Sequence, residues 1–123
     1  MAGAIRILLV EDNDIFREAL ELLFGMRADI DVVAAVGEGE AAVEAVREHQ
    51  PDVVLMDYRL PGMDGVQATR AVLAAEPGVA VVCLTGEADP HEIQALYEAG
   101  AVACVTKDLE LETIVNAVIE AVP

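Results

Sequence analysis

The chain has 123 residues, of which 55% are apolar and 3% aromatic. That length suits one domain with an aliphatic core, and the apolar content excludes an intrinsically disordered chain. No apolar run is long enough to span a membrane and the N-terminus lacks a signal-peptide pattern, so we expect a cytoplasmic protein without membrane contact. Both cysteines lie in apolar stretches and are expected to be reduced packing residues without a redox role.

The chain is strongly acidic, with 23 acidic against 7 basic residues and a net charge of −16. Such a domain is not expected to contact nucleic acid directly, because the phosphates would repel it. Much of this charge serves to keep the domain soluble. Clustered carboxylates also attract hard divalent cations, so a metal ion is an expected partner.

Short apolar runs alternate with amphipathic segments along the whole chain. In chain order, the predicted elements are a strand at 5–10, a helix from about 14 to 26, a strand at 31–36, a helix at about 40–49, a strand at 53–57, a helix at about 64–76, a strand at 79–85, a helix at about 90–99, a strand at 101–106 and a helix at about 109–121. This alternation predicts an α/β fold, a doubly wound parallel sheet of five strands with helices on both faces. We expect a single domain over 1–123, without a repeat or a linker.

The first predicted helix carries apolar residues on two faces. The set predicted to face the core is Phe16, Leu20 and Leu23. A second stripe on a different face consists of Ile15, Leu22 and Met26. This stripe either packs at the edge of the sheet or meets a partner, and a homodimer through the first and last helices is one such arrangement.

Polar residues stand at the carboxyl ends of four predicted strands. Glu11 and Asp12 follow the first strand, and Asp57 ends the third. Thr85 ends the fourth strand, and Lys107 follows the fifth. Because the carboxyl ends of parallel strands share one edge, these side chains are expected to converge there. The second strand contributes no such group, which is consistent with a place at the far side of the sheet.

This set of side chains suits phosphoryl transfer. Three close carboxylates raise one another's pKa unless a cation lies among them, and Mg²⁺ accepts carboxylate and phosphoryl oxygens as ligands. An ionised Asp57 can attack a phosphoryl group in line. Lys107 and the hydroxyl of Thr85 can then bind the transferred oxygens, so that positioning and charge supply most of the catalysis. The sequence therefore predicts that Asp57 is a phosphorylation site.

The same residues carry a family resemblance over essentially the whole chain. They are the acidic pair Glu11-Asp12, Asp57 within the segment from Met56 to Gly65, Thr85, and Lys107 after Gly100-Ala101. With them the chain resembles the receiver domain of a two-component response regulator. The resemblance implies a flavodoxin-like sheet in the order 2-1-3-4-5.

The resemblance also implies roles for these residues. Asp57 would accept a phosphoryl group from a phosphohistidine on a sensor histidine kinase, with Thr85 and Lys107 as the other catalytic residues. Asp12, Asp57 and the backbone carbonyl of Arg59 would bind Mg²⁺ directly, with Glu11 in the same metal site. The phosphoryl group would later be lost by hydrolysis, so the domain would be a timed switch. It would catalyse only its own modification and would not be an enzyme with a turned-over substrate.

Two positions depart from the usual family pattern. Cys104 stands where the family usually has an aromatic residue, and a cysteine is too small to swing inward behind Thr85 as that aromatic does. Asp108 replaces a frequent proline, and Lys107-Asp108 resembles the subfamily whose output is a LuxR-like helix-turn-helix. We therefore expect control of transcription through a DNA-binding domain that lies outside these residues. The alternative is a stand-alone receiver that acts by protein–protein contact.

The same residues leave two other classes of protein open. A Mg²⁺-dependent phosphatase of the haloacid-dehalogenase kind would use Asp12 and Asp14, which form an Asp-x-Asp after the first strand. The chain is short for that fold, and no acidic pair follows a strand after Lys107. A flavodoxin would need a phosphate-binding loop after the first strand, where this chain has acids that would repel a flavin phosphate.

Overall fold

The fold is a single parallel sheet with helices packed on both of its faces. The computed structural model describes residues 3–86, 89–107 and 110–122. Its elements are β1 (Ile5–Val10), α1 (Asp14–Gly25), β2 (Ile30–Val36), α2 (Gly39–His49), β3 (Val53–Asp57), α3 (Gly65–Ala75), β4 (Ala80–Thr85), α4 (Pro90–Ala99), β5 (Ala103–Thr106) and α5 (Leu111–Ala121). The strand order is β2-β1-β3-β4-β5 and every pairing is parallel. The predicted flavodoxin-like fold and strand order are confirmed.

The central strands are apolar throughout because both of their faces are covered. All residues of β3 and of β4 are buried. One face packs against α2, α3 and α4 in a cluster that includes Val54 and Val81. The other packs against α1 and α5 in a cluster that includes Leu55 and Val82. Alternate residues of one strand thus point into two separate cores, which explains why the strand sequences lack polar alternation.

The start of β5 differs from the sequence prediction for a physical reason. β5 begins at Ala103, two residues later than predicted, because the preceding residues close the end of α4. Gly100 adopts a φ of 114°, and its N–H donates to the carbonyls of Leu96 and Tyr97. The N–H of Ala101 also donates to the carbonyl of Leu96, so Ala101 closes the helix. Only Val102, whose N–H donates to the carbonyl of Val81, contacts β4 ahead of β5. The predicted start of α5 near Leu109 lies outside the described residues.

The two faces of α1 have different environments. Leu20 is buried as predicted, and Phe24, which the prediction left out, is buried beside it. Ile15, Leu22 and Met26 are 81%, 73% and 83% exposed, so the second apolar stripe does not pack against the sheet. None of the helices within the described ranges has the length and apolar character needed to cross a membrane.

Candidate phosphoacceptor site

The predicted site residues converge at the carboxyl edge of the sheet. Asp57 is the last residue of β3 and is paired in register with Leu84 of β4. The backbone N–H of Lys107 donates to the carbonyl of Thr85 at 2.8 Å, which joins the ends of β4 and β5. On the other side, the N–H of Glu11 donates to the carbonyl of Val36 at 3.0 Å. The backbone thus fixes the strand ends on both sides of Asp57.

Three carboxylates form the acidic part of the site. Glu11, Asp12 and Asp57 each offer an oxygen atom, and these atoms all lie within 4.8 Å of one another. Glu11 and Asp57 are only 1% and 2% exposed, whereas Asp12 is exposed to solvent. Two acids are therefore held inside the protein and a third closes the cluster from the solvent side.

Lys107 provides the positive charge at this cluster. Its Nζ lies 2.6 Å from Oε1 of Glu11 and 3.1 Å from Oδ1 of Asp57. The same ammonium lies 5.1 Å from the centre of the Phe16 ring, which adds a cation–π contact. One lysine is thus shared by two buried carboxylates, so their negative charge is only partly neutralised.

The pKa values of the site reflect this shortage of positive charge. The pKa of Asp57 is raised to about 7, chiefly by burial and then by the hydrogen bond with Glu11 and the charge of Glu11. Lys107 opposes this shift but does not cancel it. Burial alone would lower the pKa of Lys107, yet its hydrogen bond to Glu11 and the charges of Asp57 and Glu11 raise it overall.

The two oxygens of Asp57 have different surroundings. Oδ1 is near Lys107 and also accepts a hydrogen bond from the backbone N–H of Arg59 at 3.3 Å. Oδ2 is buried and has no hydrogen-bond partner among the described residues. A buried carboxylate oxygen without a partner is costly unless something else binds there. This atom therefore marks the place in the site where a cation or a reacting group is needed.

The remaining predicted residues lie at the same edge. Thr85 is 1% exposed at the end of β4, and its carbonyl is bonded to Lys107. Arg59 follows β3 and is exposed, and its N–H contacts Asp57. The role of the Arg59 carbonyl as a metal ligand stays a prediction.

Hydrogen bonds fix the end of the loop that follows Asp57. Asp64 begins α3 with a capping box, in which its side chain accepts from the N–H of Gln67 and Gln67 accepts from the N–H of Asp64. The N–H of Gly65 donates to the carbonyl of Tyr58 at 2.7 Å. A Cβ on Gly65 would lie 2.7 Å from the Cα of Tyr58, so only glycine allows this close approach.

Three neighbouring residues of the site were not singled out from the sequence. Asn13 donates its N–H to Oε2 of Glu11 at 3.1 Å and caps α1 with its side chain. Arg17 donates to the carbonyl of Glu11 at 2.7 Å. Phe16, predicted only as a core residue, contacts Lys107. The capping preference of asparagine was the one available signal, since the other two contacts depend on the tertiary fold.

The donor set fits a hard divalent cation. Three carboxylates within reach of one another supply the oxygen ligands that Mg²⁺ prefers. The partnerless Oδ2 of Asp57 and the raised pKa of the same group both indicate too little positive charge in the site. A cation bound to Glu11, Asp12 and Asp57 would remove this shortage.

Comparison with known proteins identifies the family. Residues 7–119 match the response regulator receiver domain, and the chain therefore belongs to that family. It is 40% identical over 114 residues to the transcriptional regulatory protein LnrK of Bacillus subtilis, which covers 93% of this chain and 52% of LnrK. The chain thus spans about half the length of that relative.

Solved structures agree with this assignment. The receiver domain of the response regulator NarL from Mycobacterium tuberculosis has a TM-score of 0.91 and 32% identity, covering 97% of this chain and 96% of that one. A LuxR-family response regulator from Aurantimonas has a TM-score of 0.90 and 34% identity, covering 97% and 84%.

These findings decide between the classes left open by the sequence. The chain is a two-component receiver domain, and neither a flavodoxin nor a phosphatase of the dehalogenase kind. The resemblance to regulators of the LuxR type is confirmed by relatives of that family. Asp108, on which part of that resemblance rested, lies outside the described residues.

Proposed function

We propose that this domain is a phosphorylation-controlled switch in which Asp57 accepts a phosphoryl group from a phosphohistidine on a sensor histidine kinase. The observation that carries the proposal is the surroundings of Asp57. Its carboxylate is buried among other charged groups, one oxygen contacts Lys107, and the other has no hydrogen-bond partner among the described residues. That second oxygen is the atom suited to attack phosphorus.

Mg²⁺ is the proposed cofactor, held by Asp12, Asp57 and the backbone carbonyl of Arg59, with Glu11 in the same metal site. When bound, it would offset the charge of the carboxylates and of the incoming phosphoryl group. The acidic cluster and its shortage of positive charge support this assignment.

The chain's own residues perform the transfer. An oxygen of Asp57 attacks phosphorus, the bond from phosphorus to the imidazole nitrogen breaks, and its electron pair stays on the imidazole. Lys107 supplies positive charge to the transferred oxygens, and the hydroxyl of Thr85 donates to one of them. In the later hydrolysis, water attacks phosphorus and gives up a proton to solvent, the bond from phosphorus to the Asp57 oxygen breaks, and its electron pair stays on the carboxylate, which restores Asp57 and releases phosphate. Asp57, Thr85 and Lys107 are thus the proposed catalytic residues, acting only on the domain's own modification.

The proposed output is control of transcription. Relatives such as LnrK are transcriptional regulators, and this chain spans about half of LnrK, at 52%. Residues 1–123 are the proposed receiver domain, and DNA binding would reside in a separate domain. A stand-alone receiver that acts through protein contacts is the alternative output.

The exposed stripe of α1 is the proposed contact for the kinase. Ile15 lies in the first turn of α1, directly after the loop that carries Asp12 and Asn13. A donor that reaches Asp57 must approach over this edge, and an exposed apolar side chain beside it offers a contact. A homodimer through α1 and α5 would use the same stripe, and sedimentation of phosphorylated and unphosphorylated protein at several concentrations tests for it.

The direct test is incubation with a small phosphodonor and Mg²⁺, followed by intact mass measurement. Wild type is expected to gain one phosphoryl group, and Asp57→Asn is expected to gain none. Asp52→Asn is a matched control, because Asp52 is an exposed carboxylate next to the opposite end of β3. Incorporation that survives Asp57→Asn but is lost in Asp12→Asn would overturn the proposal, since it would place the nucleophile on Asp12.

A further inference from the structure

The two cysteines of the chain are neighbours in the sheet. Cys83 in β4 and Cys104 in β5 are paired in register, so their side chains lie on the same face. Cys83 belongs to the core cluster formed with α2, α3 and α4, and the partly buried Cys104 packs against it. Neighbouring strands lie about 4.8 Å apart, which falls within the range of Cα separations found in disulfides. The separation of the two backbones therefore allows a bridge between the thiols.

The two thiols differ in accessibility. Cys83 is fully buried, and Oγ1 of Thr69 lies 3.7 Å from its sulfur. Cys104 is partly exposed under α4. An oxidant arriving from solvent therefore reaches Cys104 first, with Cys83 directly behind it.

Tyr97 places a hydroxyl group at Cys104. The backbone N–H of Cys104 donates to that hydroxyl at 3.2 Å. Since the oxygen of Tyr97 is the acceptor in this bond, its own proton is available for the sulfur of Cys104.

A hydrogen bond from Cys83 lowers the pKa of the Cys104 thiol, and Tyr97 lowers it as well, against the effect of burial. The hydrogen bond with Cys104 and burial raise the pKa of Cys83. Cys104 is thus the more nucleophilic thiol of the pair.

We propose that Cys83 and Cys104 form a redox site that hydroperoxides oxidise to a reversible intramolecular disulfide. Cys104 is the residue attacked first, and Cys83 is the resolving residue. This role is separate from phosphorylation and uses none of the residues assigned to the metal or the phosphoryl group. It also differs from the sequence prediction, which gave both cysteines a packing role only.

The chemistry proceeds in two steps. The thiolate sulfur of Cys104 attacks one oxygen of the hydroperoxide, the O–O bond breaks, and the other oxygen leaves as water or an alcohol after taking a proton. Cys104 is then a sulfenic acid. The sulfur of Cys83 next attacks the sulfur of Cys104, the S–O bond breaks, and water leaves with the proton of Cys83. Two thiols are oxidised and one hydroperoxide is reduced.

The position of the bridge makes it reducible and connects it to the strand ends. Side chains of registered parallel strands stand side by side, so closing the bond strains the bridge, and strained disulfides are easily reduced. Cys83 precedes Thr85 by two positions in β4, and Cys104 precedes Lys107 by three. The bridge would thus lie just behind the two strand ends that carry these residues.

The test treats the whole chain with hydrogen peroxide, alkylates free thiols under denaturing conditions and measures intact mass. Wild type is expected to lose two hydrogen masses and both alkylation sites, to remain monomeric in a non-reducing gel, and to recover both thiols with dithiothreitol. Cys83→Ala is expected to stop at a sulfenic acid on Cys104 that dimedone traps. In Cys104→Ala, Cys83 is expected to stay alkylatable at the same dose. Alanine is chosen because it places no polar group in the core.

Further variants keep the proposal falsifiable. Tyr97→Phe is expected to oxidise about two- to tenfold more slowly, the range that one hydrogen bond supports. Asp57→Asn is expected to oxidise like wild type, so a failure of phosphorylation would not affect this result. The proposal is overturned if wild type keeps both alkylatable thiols under peroxide, or if Cys83 reacts equally fast in Cys104→Ala. Matching circular dichroism spectra for all variants confirm that they are folded.

Discussion

Asp57 combines two requirements that oppose each other. As a nucleophile it must be ionised, yet burial beside Glu11 favours its protonated form and raises its pKa to about 7. Lys107 and a bound cation act in the opposite direction, because each favours the ionised form. The folded domain without metal therefore carries a cost for holding Asp57 in place, and that cost can be measured.

Asp57→Asn is expected to stabilise the metal-free domain, by about 2–4 kcal/mol above neutral pH. The folded-state pKa of Asp57 is raised from 3.8 to about 7, so the folded protein keeps a proton that the unfolded chain has lost in this interval. The stability of wild type relative to the variant is therefore highest below pH 3.8 and falls as the pH rises from 3.8 to about 7. Urea denaturation in a chelating buffer at several pH values measures the difference. A stability difference between wild type and Asp57→Asn that is constant over the whole pH series would contradict the raised pKa of Asp57.

Lys107→Ala is expected to destabilise the metal-free domain, because Glu11 and Asp57 would lose the cation that both contact. The loss should be smaller in the Asp57→Asn background, where only one buried carboxylate needs Lys107. A coupling of about 1–3 kcal/mol is expected from the double-mutant cycle. Equal losses in both backgrounds, measured by the same urea series, would mean that Lys107 acts through Glu11 or Phe16 and not through Asp57.

For individual residues, the sequence predicted which side chains meet at the site but not which ion pairs and hydrogen bonds they form. Glu11, Asp57 and Lys107 were predictable because each stands at the end of an apolar strand run. The shared position of Lys107 between two acids was not predictable, since it depends on side-chain distances across three strands. The contact of Phe16 with Lys107 was hidden for the same reason, because helical spacing reports only that a residue faces inward.

Among the elements, the loop from β3 to α3 depends most on a single residue. A Cβ at Gly65 would press on the Cα of Tyr58 at 2.7 Å and on the carbonyl oxygen of Asp57 at 3.3 Å. Both atoms belong to the backbone, so the loop itself must shift. This shift would move the residues that follow Asp57 in the site.

Gly65→Ala is accordingly expected to cost about 1–3 kcal/mol of stability and to slow the gain of phosphate. Gly78→Ala is the matched control, because nothing lies within 4 Å of a Cβ at that glycine. The control is expected to stay within about 0.5 kcal/mol of wild type. Chemical denaturation and the phosphodonor assay measure the two effects. If both variants behave like wild type, the close packing of Gly65 has no role in holding the site.

Element boundaries show what local sequence leaves open. Residues 101 and 102 are apolar and follow a glycine, which predicts a strand, but the N–H of Ala101 is bonded to the end of α4 and only that of Val102 reaches β4. Phe24 was missed on α1 because two apolar stripes overlap there, and only the position of the sheet shows which stripe is inside. The sequence pattern therefore located every helix and strand, while the hydrogen bonds that close α4 decided where β5 begins.

For the whole molecule, the net charge of −16 is the dominant electrostatic feature. Repulsion among so many carboxylates opposes the compact state, and salt screens it. A bound divalent cation would add a stabilisation that depends on its site and not on ionic strength alone. These two effects can be separated because they respond to different ions.

Magnesium chloride is expected to raise the melting temperature more than sodium chloride at equal ionic strength. The extra stabilisation should be about 1–3 kcal/mol at concentrations well above the dissociation constant. It should shrink in Asp57→Asn and Asp12→Asn, which each lose a proposed ligand. Thermal denaturation followed by circular dichroism provides the measurement. Equal effects of the two salts on wild type would argue for diffuse screening without a specific cation site.

The alternation of five apolar runs with five amphipathic segments predicted a parallel sheet with helices on both faces, and the family resemblance implied its strand order. The contact between Cys83 and Cys104 was not predictable, since the two residues are far apart in the chain and meet only through strand register. The exposure of Ile15 and Leu22 was also undecided from the sequence. Such features depend on which faces the fold covers, and pattern alone does not report this.

The hydroxyl of Tyr97 lies against β5, which is an outer strand of the sheet. The N–H of Cys104 in this strand donates to the hydroxyl of Tyr97. Unpaired donors on an outer strand invite pairing with a second chain, which is a route to aggregation. Tyr97 from α4 closes this position, and the strand is only four residues long. Any movement of α4 that withdrew Tyr97 would expose a strand edge ready to pair with another molecule.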